Sequence, residues 1–174
     1  FVMLLAAVRF IPDITASIPF AYVFNTSLLY RLPDLVKISM AHCLLSIPYV
    51  VFIAQGMFES IPIDLEEQVQ ILGGSKSYAF FKIVLPIAVP GIAAAAIYVF
   101  LLSWNEFVFS YFLTSTSLSS VIPLPVYLKS LFGAMSPNQV TIATVSFLIS
   151  LPVILFTLLL QKYIITGMTE GAVK

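Results

Sequence analysis

Four stretches of this sequence run without a single Asp, Glu, Lys or Arg: Ile38 to Phe58, Ile83 to Asn105, Phe107 to Leu128 and Ser130 to Gln161. A helix needs roughly 20 apolar residues to cross a hydrocarbon core about 30 Å thick, so each run has the reach of a membrane span. The N-terminal stretch, Phe1 to about Tyr22, carries only Arg9 and Asp13. Prolines and polar clusters divide these runs into four expected spanning helices, at about 1–22, 35–58, 87–113 (entered through Leu85-Pro86) and 139–164. A membrane β-barrel would show alternating segments of about ten residues. Continuous runs such as Ile92 to Leu102 do not alternate. The expected fold class is all-α: a polytopic transmembrane helical bundle, with 1–174 forming a single membrane domain.

Composition excludes the competing classes. The 174 residues are 60% hydrophobic and 9% charged. A soluble domain carries roughly 25% charged residues on its wet surface, so the remaining surface here must face lipid. Eight basic residues balance eight acidic ones, and nucleic-acid binding, which needs a basic patch, is not expected. Cys43 is the one cysteine and His42 the one histidine. An intrachain disulfide and a His-rich metal site are therefore ruled out. The chain starts at Phe1 with no charged segment before its first apolar run. It does not read as a signal peptide, and is expected to be the C-terminal part of a longer chain.

The links between spans differ in character. Residues 23–34 are short and polar, and 114–138 are rich in Ser, Thr and Pro. Residues 59–85 hold Glu59, Asp64, Glu66 and Glu67, half of all the acidic residues, with Lys76 and Lys82. Pro62 suits a first helical turn, and Asp64, Glu66 and Glu67 suit the positive end of a helix dipole. Leu65, Val69 and Leu72 recur at helical spacing as an apolar face, with Glu66, Glu67 and Gln70 turned away. Gly73 and Gly74 are expected to end this helix. Ser75 then caps a second one, running through Phe80, Phe81 and Val84 to Pro86. Two such helices are either an amphipathic loop at the membrane interface or a docking element for a soluble partner. Acidic side chains on the exposed face favour docking, because anionic lipid repels them. Gly73-Gly74-Ser75-Lys76-Ser77 is not a phosphate-binding loop: Lys does not follow the last Gly directly, and no strand precedes it. Charge counting places Lys76, Lys82, Lys162 and Lys174 on one side of the membrane and Arg31, Lys37 and Lys129 on the other. That split leaves the orientation open.

Glu67, Gly73, Ile83, Leu85 and Pro86 stand in the register of the cytoplasmic loop motif of ABC importer permeases: Glu-Ala-Ala, three residues, Gly, nine residues, Ile-x-Leu-Pro. The chain resembles that family. It departs from the motif at Gln68 and Val69, which replace the two Ala, at Leu72, which replaces an Asp, and at Gly74, which replaces an Ala. Trp104-Asn105-Glu106-Phe107 resembles the Trp-Asn-acidic signature of the carbohydrate-uptake branch. Gln161-Lys162-Tyr163, Gly167 and Gly171-Ala172-Val173-Lys174 resemble that branch's tail, of the type of the second permease of the maltose transporter.

The resemblance implies a type I importer permease fold in a prokaryotic inner or plasma membrane, with these four helices as the last four of six. It implies a second permease, an ABC ATPase dimer that holds ATP and Mg, and an extracytoplasmic solute-binding protein. By it, Glu66, Glu67, Gly73 and Gly74 form the coupling element at residues 59–85, the loop and C-terminus are cytoplasmic, and Gly167, Gly171 and Lys174 reach the ATPases. No cofactor is expected on this chain, which is a transport subunit and not an enzyme.

Polar side chains inside the membrane cost about 2.5–3.5 kcal/mol at its centre and so face protein or water. Three stripes stand out: Arg9, Asp13 and Ser17; Ser39, His42, Ser46 and Tyr49; Ser103, Glu106 and Ser110, with Asn105 beside them. Arg9 and Asp13 are spaced for a local ion pair. Glu106 has no basic neighbour in sequence and needs a partner, a proton or a watery path. A sugar path wants hydroxyls, amides, carboxylates and an aromatic plate, and Trp104, Asn105, Glu106 and His42 are the candidates for it. Two other readings stay open: a permease-like subunit without transport activity, suggested by the altered Glu67-Gln68-Val69 segment, and an intramembrane enzyme built on His42 and Ser46.

Overall fold

A computed structural model describes residues 5, 7, 9–114, 121–133 and 138–171, with side chains described as far as residue 159. Every regular element among the described residues is helical. Helix α1 spans Asp13–Thr26, and a single 3₁₀ turn, Leu28–Arg31, leads to α2, Asp34–Glu59. The charged segment holds α3, Asp64–Ile71, and α4, Lys76–Ala79. A π turn, Phe80–Val84, carries α4 without interruption into α5, Leu85–Trp104. Helix α6, Val108–Thr114, α7, Leu124–Phe132, and α8, Gln139–Gly171, follow.

Three helices among the described residues are long and apolar enough to cross a membrane: Asp34–Glu59, the continuous rod Lys76–Trp104, and Gln139–Leu159 of α8. Four were expected. The first, at 1–22, is divided, because residues 9–12 leave the helix and α1 begins only at Asp13. Pro12 is the cause: its ring clashes with the preceding turn, and it disfavours helical geometry at Ile11. Fourteen residues at about 1.5 Å each make α1 roughly 21 Å long, short of a full crossing.

The expected third span, 87–113, is corrected at both ends. Pro86 was read as an entry point, yet the helix passes through it. Pro86 has no N–H to offer the carbonyl one turn back. The chain widens there into the π turn, in which the Leu85 N–H reaches the Phe80 carbonyl. At the far end, Asn105 closes α5, with its side-chain amide donating to the Leu101 carbonyl at 2.8 Å. Residues 105–107 then separate α5 from α6. The Ser/Thr/Pro-rich link at 114–138 also contains a helix that composition concealed. Pro125 sits in the first turn of α7, and Gly133 ends it.

The bundle is held by two seams. In the first, α6 packs on both α1 and α2, with Ala21, Phe24, Ile38, Ala41, Phe109 and Leu113 forming the buried core. Phe20 meets Phe109 edge-on at 5.4 Å. In the second, α2 lies along α5. A Cβ at Gly91 would overlap the sulfur of Met57, so the missing side chain leaves the space that the Met57 side chain fills. Helix α8 adds to α5 and α7 through Phe156 on Phe100, with centroids 4.5 Å apart. Its outer face, including Phe147, Ile154, Leu155 and Leu158, is exposed. At the α1–α2 corner, Lys37 is buried against the Tyr30 ring and pairs with Asp34 at 3.5 Å.

The charged segment follows its sequence signals closely. Gly73 takes φ +83, a left-handed conformation that other residues rarely adopt. Ser75 accepts the Tyr78 N–H at 3.1 Å, as a helix cap should. Leu65 and Val69 are half-buried as expected. Leu72 is not part of their face: it lies beyond the end of α3, outside helical geometry, and is 87% exposed.

Candidate functional site

Two of the three polar stripes that sequence spacing separates meet at one imidazole. His42, on α2, reaches Ser103 of α5 with Nδ1 (2.7 Å) and Glu106 with Nε2 (3.2 Å). Nε2 also lies 3.2 Å from the Ser110 hydroxyl of α6. Glu106 has the partner it lacked in sequence. Its carboxylate also accepts the backbone N–H groups of Phe109 (2.7 Å) and Ser110 (3.0 Å) and the Ser110 hydroxyl (2.8 Å). These contacts cap the start of α6, which is why the chain turns there. A carboxylate receiving donors on both oxygens acts as an acceptor only, so Nε2 donates to it, while Nδ1 shares its hydrogen bond with the Ser103 hydroxyl. His42 and Glu106 are nearly enclosed, with side chains 16% and 10% exposed.

A cavity of about 400 Å³ opens beside this cluster, lined by His42, Glu106, Asn105, Tyr98 and the Arg9–Asp13 pair. Arg9 donates to Asp13 at 3.1 Å and to the Tyr49 hydroxyl at 3.0 and 3.2 Å. The expected local ion pair is present, and its cation is also held by a tyrosine of α2. Tyr49 meets Tyr98 edge-on at 5.6 Å, so both aromatic rings border the same space. A smaller cavity of about 210 Å³ lies against the cluster too, lined by His42, Ser103, Glu106, Phe100, Trp104 and Pro123.

Of the four candidate path residues, His42 and Glu106 touch each other. Asn105 is exposed at the edge of the larger cavity. Trp104 borders only the smaller one. Its indole N–H donates to the Ile149 carbonyl of α8 at 3.0 Å, and its ring stacks on Phe100. Ser17, Ser39 and Ser46 bond to carbonyls of their own helices. Tyr98 was missed, since no spacing along α5 relates it to Arg9 or Tyr49; only the packing of α2 on α5 does.

In the charged segment, Glu67 is exposed and has no ion-pair partner among the described residues, while Glu66 is half-buried. Val69 packs toward Gly74, whose N–H donates to the Val69 carbonyl at 2.9 Å. A Cβ on Gly74 would come 2.5 Å from the Val69 side chain. Gly167 and Gly171 fall within α8, and Lys174 lies outside the described residues.

The family described as binding-protein-dependent transport system inner membrane component matches residues 2–170. The chain belongs to this family. Among its relatives, the trehalose transport system permease protein SugB of Mycobacterium tuberculosis is 34% identical over 74% of this chain and 47% of its own length. The trehalose/maltose transport system permease protein MalG of Thermococcus litoralis is 31% identical over 74% of this chain and 46% of its own. The galactooligosaccharides transport system permease protein GanQ of Bacillus subtilis is 33% identical over 74% of this chain and 45% of its own. The chain thus spans about half the length of the curated relatives it matches. Family membership and the apolar helices together make it a multi-pass membrane protein.

Proposed function

We propose that this chain is a membrane-spanning permease subunit of an ATP-driven importer, that it lines part of the path for a sugar or related polar solute, and that its 59–85 segment couples the path to a separate ATPase. The observation that carries this reading is the segment itself. It is two short helices joined at a left-handed glycine, with unpaired acidic charge outward, and its second helix is continuous with the spanning rod Lys76–Trp104. A push on α3 is therefore delivered to the helix that borders both cavities. The printed names of the relatives, which concern trehalose, trehalose/maltose and galactooligosaccharides, support a sugar as the solute.

The departures from the coupling motif do not favour an inactive subunit. Valine replaces the smaller alanine at 69, and glycine replaces alanine at 74, where a Cβ would crowd that valine. The methyl absent at 74 leaves room for part of the bulk added at 69, so the turn closes on the valine.

In this reading Glu66 and Glu67 face the ATPase, with Gly73 and Gly74 shaping the turn. The ATPases bind ATP and Mg, a second permease completes the path, and an extracytoplasmic binding protein delivers the solute. The 59–85 segment and the C-terminus are cytoplasmic, and Gly167, Gly171 and Lys174 extend toward the ATPases. The test is purification of the full-length protein, tagged and co-expressed with its genomic neighbours, beside a Glu67→Lys variant. An ATPase is expected to co-purify with the first and to be lost from the second. No ATPase with either would refute the coupling role.

A further inference from the structure

The two cavities are separated by one group of side chains. His42, Ser103 and Glu106 line both of them. On one side lies the larger space bordered by Arg9, Tyr49 and Tyr98, and on the other the smaller space bordered by Phe100 and Trp104. The wall is polar and closed by hydrogen bonds. The imidazole carries hydrogen bonds from α2 across to α5, α6 and the break between them: Nδ1 to Ser103, and Nε2 to Glu106 and Ser110. Glu106 is tied to the start of α6 by the Phe109 and Ser110 N–H groups and stays with α6 if the imidazole departs.

We infer that His42 is a latch, and that its separation from Ser103 and Glu106 joins the two cavities into one passage for the solute. This rests on the permease reading given above. Every group in the latch can exchange its partner for a hydroxyl. The Ser103 and Ser110 hydroxyls and the Glu106 carboxylate, once freed from His42, present the donors and acceptors that a polyhydroxylated solute replaces one for one. An apolar wall would offer a sugar no such exchange.

The fold also supplies a way to work the latch. Helix α2 meets α5 where the Met57 side chain lies over Gly91, near the coupling segment. Twelve residues further along α5, roughly 18 Å at 1.5 Å per residue, stands Ser103. A tilt of the rod about the Met57–Gly91 contact, driven from α3 and α4, draws Ser103 away from His42.

The experiment uses the complete importer, with its partner permease and ATPase, in ATP-free proteoliposomes loaded with radiolabelled trehalose. Passive efflux is followed for four proteins: unsubstituted, His42→Ala, His42→Gln, and His42→Cys with Ser103→Cys in a Cys43→Ser background. Removing the imidazole's bonds is expected to raise efflux roughly tenfold or more for His42→Ala. His42→Gln, which can still bridge, should stay near the unsubstituted rate. The double-cysteine protein should leak when reduced and seal when oxidised. Efflux from the reduced double-cysteine protein that does not fall on oxidation, or a His42→Ala rate equal to the unsubstituted one, overturns the latch while leaving the permease assignment intact, provided the ATPase is still bound. An unsubstituted preparation without any ATPase overturns the permease reading, and the latch with it.

Discussion

Val69 and Gly74 show how a pair of residues can depart from a family pattern and still preserve its geometry. Each change taken singly is unfavourable. Alanine at 74 would crowd Val69, with its Cβ 2.5 Å from the valine methyl and 3.0 Å from the Val69 carbonyl. Overpacking of this kind costs about 1–3 kcal/mol. Gly74→Ala is therefore expected to loosen the joint and speed amide hydrogen exchange across residues 64–79. Adding Val69→Ala should recover the larger share of the protection, a coupling that two independent surface sites would not show. Equal exchange in Gly74→Ala and the unsubstituted protein would mean that Val69 swings clear at no cost. The sequence motif names both departures, but their compensation is visible only where α3 and the Gly73-Gly74 turn fold back on each other.

At the scale of elements, the short break between α5 and α6 matters most. A long apolar run with one acidic residue in it reads as a single helix with an awkward charge. In the structure, that charge is the reason the run divides. Glu106 caps α6 through two backbone N–H groups and anchors the His42 bridge. Losing such a cap costs about 1 kcal/mol, and leaving the enclosed imidazole without its acceptor costs roughly 1–3 kcal/mol more. Glu106→Ala should accordingly lower the thermal midpoint of the purified complex. Glu106→Gln, which keeps one amide oxygen as an acceptor, should lower it less. Equal midpoints for the two variants would show that the carboxylate is not what organises the start of α6. Pro86 gives the complementary lesson. A residue that usually ends a helix is absorbed here by a π turn, so the second helix of the charged segment and the span become one rod.

At the scale of the molecule, the three long helices expose most of their apolar side chains, while the polar groups converge on His42 and the Arg9–Tyr49 pair. Such an inside-out distribution suits a bundle bathed in lipid around a polar interior. The proposed orientation is checked by labelling. In a Cys43→Ser background, Ser77→Cys on exposed α4 should react with a membrane-impermeant maleimide in inverted vesicles and remain unlabelled in intact cells. Labelling from outside the cell would reverse the topology and remove the coupling role of 59–85.

The sequence alone determined the membrane class, the two short helices of the charged segment with their glycine joint, and the family, because each is a local matter of run length, spacing or turn chemistry. Arg9 with Asp13 was legible for the same reason, lying one helical turn apart. The tertiary structure decided the rest. It divided the first span at Pro12, carried the third through Pro86, uncovered α7, and removed Leu72 from the apolar face. It also brought His42 to Ser103, 61 residues away, and to Glu106, 64 residues away. Helical periodicity tells which residues share a face, but not which face of another helix that face will meet. That pairing is set by how side chains of one helix fit the surface of the next, as the Met57 side chain fits over Gly91.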